Sequence, residues 1–156
     1  MNTVVAVDTN LLVYAHRADS PWHARADRVV ATLAEGRASW AIPWPCLYEF
    51  YAIVTHPRIY RPPTPPEDAL TQIGHWLESP SLVLLQEGDG FWDTLRPLVA
   101  RSKVQGGTVH DARIAALCLR HGVKTLFSAD RDFSRFPDLR TENPLHEAGR
   151  DGPDDR

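Results

Sequence analysis

Four carboxylates in this chain stand where acids can do chemistry together: Asp8, Glu49, Asp111 and Asp130. Asp8 closes the apolar run of V-A-V-D-T-N, and Asp130 follows another in T-L-F-S-A-D-R-D-F. Asp111 comes after a glycine-rich loop in G-G-T-V-H-D-A-R-I-A-A, while Glu49 is the lone acid of the apolar and aromatic stretch C-L-Y-E-F-Y. A carboxylate in such a stretch needs a partner, and a cation is one. Four carboxylates at close quarters raise one another's pKa unless a counter-charge joins them. Hard oxygen donors, with no Cys ligands and no H-x-x-x-H pair, select Mg2+ or Mn2+ over Zn2+. The natural reaction of such a site is phosphodiester hydrolysis.

Taken singly, each acid has a structural alternative. Asp8, and Asp111 beside His110, suit helix caps. Glu49 suits a solvated helix position, and Asp130 with Asp132 suits a polar turn. Only their convergence at one end of one sheet separates the functional reading from these.

The elements that must position them follow from pattern. Thr3 to Val7, Leu82 to Leu85 and Val123 to Phe127 are short apolar runs of the kind found in strands buried on both faces, with a weaker strand at Ser39 to Ile42 and an edge strand around Asp138 to Glu142. Between them the spacing predicts helices over Asn10 to His16, from an N-cap at Ser20-Pro21 to Gly36, and over Cys46 to Thr55. Further helices are expected over a stripe of Ala69, Leu70, Ile73, Trp76 and Leu77, over Phe91 to Arg101 with Pro97 as kink or true start, and over His110 to His121. Five prolines between Pro57 and Pro66 make that stretch an ordered turn region or semi-rigid loop. The alternation of strand and helix predicts an α/β fold: a three-layer α/β/α domain around a central parallel sheet. In such sheets ligands bind beyond the carboxyl ends of the strands, where the strand order reverses, and Asp8 and Asp130 stand there.

The chain's 156 residues suffice for one domain and a tail. We expect a nuclease-like domain over 1–142 and a disordered tail over 143–156, where Pro, Gly, Asp and Arg dominate. Apolar residues at 43% and charged residues at 24% are ordinary for a soluble globular protein. A net charge of -3 excludes bulk electrostatic capture of nucleic acid, so any such contact must be local. Cys46 and Cys118 lie in apolar helical patterns without ligand spacing, which predicts free thiols and a reducing cytoplasm. No run approaches the roughly eighteen apolar residues of a membrane span, and no membrane contact is expected.

The order D-T-N after the first strand, a Glu in a central helix, H-D-A opening an Ala-rich helix, and S-A-D-R-D-F resembles PIN-domain ribonucleases, and among them the VapC-type toxins of bacterial toxin–antitoxin pairs. The resemblance spans about Val4 to Pro137. It implies a Mg2+- or Mn2+-dependent endoribonuclease, a homodimer, and a small VapB-type antitoxin as partner. Carried over by motif, Asp8 and Asp111 are the principal metal ligands, Glu49 and Asp130 complete the acidic quartet, and Asp132 is a further ligand candidate. Asn10 would hold the site by hydrogen bonds, and Thr9 or Ser128 would orient a carboxylate. Basic and aromatic residues offer RNA a route, with Arg17, Arg25, Arg58 and Arg61 as candidates for contacting RNA or antitoxin.

A Mg2+-binding, non-catalytic PIN-like module that only binds an antitoxin is one alternative, and two other classes place an Asp after a first parallel strand. Aspartate-nucleophile phosphohydrolases use D-x-D, and here the third position is Asn10, which lacks the acid proton. Phospho-receiver modules, which bind Mg2+ without catalysis, carry an acidic pair there and a Lys after the last strand. This chain has D-T-N and S-A-D instead.

Overall fold

The structure is a computed structural model that describes residues 4–146. Five parallel strands form one sheet in the order β3-β2-β1-β4-β5: β1 (Val5–Val7), β2 (Trp40–Pro43), β3 (Leu82–Leu85), β4 (Thr125–Phe127) and β5 (Arg140–Glu142). β1 lies centrally, with Ala6 opposite Ala41 of β2 on one side and Leu126 of β4 on the other. Among the described residues six α-helices connect and cover the sheet: α1 (Thr9–His16), α2 (His23–Glu35), α3 (Trp44–Val54), α4 (Pro66–Leu77), α5 (Phe91–Ser102) and α6 (Val109–Arg120).

Successive crossovers from β1 to β3 run toward one edge, and the crossover from β3 to β4 jumps back past β1. Right-handed crossovers then place α1 to α4 on one face and α5 with α6 on the other, which gives three layers. The helix contacts agree: α1 packs on α2 and α3, α3 on α4, and α5 on α6. Every residue of β2 is buried, as are Trp40, Leu47, Phe50, Leu117 and Leu126. Each fully buried Leu or Phe side chain contributes about 1.5–3 kcal/mol. The core therefore holds the strand ends rigidly enough to aim side chains beyond them.

Local differences from the sequence reading have physical causes. α3 begins at Trp44 because Pro45 sits comfortably in a first turn, where its missing N–H costs nothing. Ser20 does not cap α2: its Oγ accepts from the Trp22 N–H at 3.1 Å in a separate turn, and α2 starts at His23. α5 runs through Pro97 and is launched by Gly90 in the left-handed region at φ 83°. α6 is preceded by a short 3-10 turn over Gly106–Thr108 and begins at Val109.

The α4 stripe is narrower than expected. Ala69 and Trp76 are buried, but Leu70 and Leu77 are 52% and 41% exposed, since α4 meets the body mainly through α3. Beyond β5, Leu145 is buried and the Pro144 carbonyl accepts from Arg25 Nε at 3.0 Å, so Asn143 to His146 belong to the packed body. The rest of the expected tail, 147–156, and Thr3 of the first expected strand lie outside the described residues.

Candidate metal centre

Strand order reverses between β1 and β4, and the acids gather at their carboxyl ends. Asp8 occupies the N-cap position of α1 with extended backbone, yet its side chain makes no cap hydrogen bond. The carboxylate is instead held from the direction of β4 and α3. Ser128 Oγ donates to its Oδ2 at 2.6 Å, and the Cys46 thiol donates to Oδ1 at 3.6 Å. The Asp8 N–H donates to the Phe127 carbonyl at 2.9 Å, which ties the residue to both central strands.

Asp8 is only 4% exposed and makes no ion pair with Lys, Arg or His among the described residues. Burial pushes its carboxyl up to about 6; the Ser128 hydrogen bond opposes that rise and the nearby Glu49 carboxylate adds to it. Glu49 is half-buried on α3, one turn beyond Cys46, and its Oε1 accepts from Thr9 Oγ1 at 2.9 Å.

Asp111 lies in the first turn of α6, whose N-cap is Thr108, so it is not a cap. It forms a tight group with Asp130 and Asp132: one carboxylate oxygen of each lies within 4.8 Å of the others. Burial raises the Asp111 carboxyl, as do the charges of Asp130, Asp132 and Glu49, while Arg135 opposes them. Asp130 also has its structural role, accepting from the Asp132 N–H at 2.8 Å to cap the 3-10 turn over Arg131–Arg135.

Ser128 joins the two halves, since the hydroxyl that donates to Asp8 also accepts from the Asp130 N–H at 3.0 Å. Asn10 fixes the same loop: its Oδ1 accepts from the Ala129 N–H at 3.1 Å and its Nδ2 donates to Ser128 Oγ at 3.4 Å. The donor set is oxygen only, carries several like charges and is partly withdrawn from water. Those properties fit a hard divalent cation, which would relieve both the desolvation of Asp8 and the crowding at Asp111.

A family model described as the PIN domain matches residues 5–139. The chain belongs to the PIN-domain family. Ribonuclease VapC43 of Mycobacterium tuberculosis is 36% identical over 142 residues, which cover 91% of this chain and 96% of that protein. Ribonuclease VapC48 of the same organism is 33% identical over 138 residues, 88% of this chain and 95% of its own. Among solved structures, VapBC2 from Rickettsia felis bound to a promoter DNA fragment superposes with a TM-score of 0.63 at 20% identity, covering 90% of this chain and 98% of that one. Mycobacterium tuberculosis VapC20, described as a Sarcin-Ricin loop cleaving toxin, gives 0.63 at 16% identity, covering 83% and 92%. The structural likeness shows that the PIN fold is shared.

Arg17 is engaged internally: it pairs with Asp19 through two contacts of 2.9 and 2.7 Å and lies 4.3 Å from the Tyr60 ring centre. Arg25 reaches the Pro144 carbonyl, and Arg58 and Arg61 are exposed in the turn after α3. Sequence reasoning missed Cys46 as a neighbour of Asp8, although it precedes Glu49 by three positions and therefore shares its helix face. It also missed the pairing of Trp44 with Tyr48, whose rings stack at 6.0 Å, with Tyr48 64% exposed beside Glu49. The i, i+4 spacing of those two aromatics was the signal.

Proposed function

We propose that this chain is a divalent-cation-dependent endoribonuclease acting as the toxin of a toxin–antitoxin pair. Asp8, Glu49, Asp111 and Asp130 are its catalytic acids, and Asp132 is a further cation-holding carboxylate. The observation that carries the reading is Asp8: a buried carboxylate without a cationic partner among the described residues, joined through Ser128 to a cluster of three more acids. The relatives' names as ribonucleases, and the antitoxin complexes among the structural neighbours, support the substrate class and the partner.

When bound, Mg2+ or Mn2+ supplies charge neutralisation at the phosphate and leaving oxygen and lowers the pKa of the attacking water. The chain's own groups do the rest. Ser128 fixes the rotamer of Asp8, Thr9 fixes Glu49, and Asn10 holds the loop that presents Asp130. Asn10 is thereby occupied in structure, which argues against a D-x-D phosphohydrolase needing an acid at that position. A homodimer, a VapB-type antitoxin and a cytoplasmic location belong to the same proposal. The buried free thiols of Cys46 and Cys118 suit a reducing compartment. Among the described residues no helix is long and apolar enough to cross a membrane.

The test is incubation of the purified protein with total cellular RNA and Mg2+ or Mn2+, with mapping of the new RNA ends. Defined cleavage sites that disappear in EDTA are expected. An RNA population left intact under every metal condition contradicts the reading.

A further inference from the structure

A cavity of about 710 Å³ opens directly beside the acids, sharing Ser128 and Asp130 with them. Its walls come from α1, the turn before α2, the loop after β4 and the stretch through β5, and include Tyr14, Trp22, Arg131, Ser134, Thr141 and Asn143. The volume lies within the range of roughly 300–1,000 Å³ usual for small-molecule sites. One feature of the lining has no internal explanation: Thr141 Oγ1 is buried and has no hydrogen-bond partner among the described residues. Buried polar groups are nearly always satisfied, so an orphan hydroxyl on a cavity wall calls for a ligand or water that completes it. Asn143 accepts from the Leu145 N–H through Oδ1, and its amide N–H groups have no partner among the described residues.

Aromatic rings, a spare amide, an orphan hydroxyl and an arginine form the set that recognises an unstacked nucleotide. Rings take the base face, amide and hydroxyl take the base edge, and the guanidinium takes a phosphate. We propose that this cavity is a nucleotide subsite, which receives the base next to the scissile phosphate and so contributes to the choice of cleavage site. The proposal rests on the ribonuclease reading above and assigns the part of the substrate that the acids do not touch.

Two substitutions probe it without altering the carboxylates. Ser134→Phe fills the cavity from an exposed position, and Thr141→Val keeps shape while removing the orphan hydroxyl. The four nucleoside 5′-monophosphates are titrated into the full-length protein in EDTA, so that no cation holds the phosphate. Binding is followed by the indole N–H resonance of Trp22, assigned with Trp22→Phe. At least one nucleotide should shift that resonance saturably, and both variants should weaken its binding at least fivefold. The variants should also raise the KM for RNA cleavage or redistribute the cleavage sites, while the melting shift produced by Mn2+ stays at its wild-type value. No nucleotide response at Trp22, or wild-type binding and cleavage sites in Ser134→Phe, overturns the proposal. So does a Ser134→Phe variant that cuts RNA normally but escapes inhibition by the antitoxin, because the cavity would then serve a protein. Nucleotide binding in a protein that cuts no RNA would leave the subsite standing and remove the ribonuclease reading instead.

Discussion

Asp8 is a carboxylate that the fold withdraws from water without pairing it with a cationic side chain among the described residues. Its raised pKa makes a sign-definite claim about the metal-free protein. Because the folded value of about 6 lies above the ordinary 3.8, the protonated form is favoured by folding. That stabilisation is complete below pH 4 and is lost as pH rises through 6, a change of about 3 kcal/mol for a shift of roughly two units. Urea unfolding of wild type and Asp8→Asn in EDTA should therefore diverge by about that amount between pH 4 and 7, with the wild type weakening. Parallel curves would mean that Asp8 is better solvated or better paired than its burial implies. Glu49 differs, since Thr9 Oγ1 donates to it and an amide oxygen accepts that bond equally well. Glu49→Gln should leave the metal-free melting temperature unchanged or slightly higher while shrinking the upward shift that Mn2+ confers on the native state. A lower melting temperature with an intact Mn2+ shift would make Glu49 structural. At this scale the acids were legible because strand-end and helix-start positions can be read from local pattern. The contact of Cys46 with Asp8 was not, because it joins residues 38 positions apart.

Strand and helix identities were legible wherever one period dominated the sequence. The α4 stripe shows where that fails. Apolar residues at Ala69, Leu70, Ile73, Trp76 and Leu77 mark an apolar face, but only tertiary packing decides how much of it is covered. Here Trp76 packs edge-on against Phe50, with ring centroids 4.8 Å apart, and Leu77 remains 41% exposed. Trp76→Ala should therefore destabilise the protein by about 3–5 kcal/mol, and Leu77→Ser by clearly less, in denaturant titrations. Comparable losses would place Leu77 in a buried interface in solution. Ser20 and Pro21 show a second limit. Their residue types fit a helix start, yet the hydroxyl closes a turn two residues early, and the choice between neighbouring caps depends on where the chain must travel next.

For the molecule as a whole, the strand order β3-β2-β1-β4-β5 accounts for the site. Reversal beside β1 leaves a crevice between the ends of β1 and β4, and the chain places Asp8 on one side and Ser128 with Asp130 on the other. The parallel α/β plan was legible from alternation, but the order of strands was not, since no local pattern says which strands are neighbours. The net charge of -3 takes its meaning from the same crevice: the clustered acids would repel RNA without a cation, so cleavage should require one. Most direct is the cleavage rate of a labelled RNA containing a mapped site, measured against Mn2+ concentration after EDTA stripping, for wild type, Asp8→Asn and Asp111→Asn. The wild type should be inactive when stripped and regain activity as Mn2+ is added, and each variant should stay at least about 100-fold slower at every concentration, a loss of roughly 2.7 kcal/mol or more in transition-state stabilisation. Wild-type cleavage in EDTA, or wild-type rates in both variants, would contradict the account.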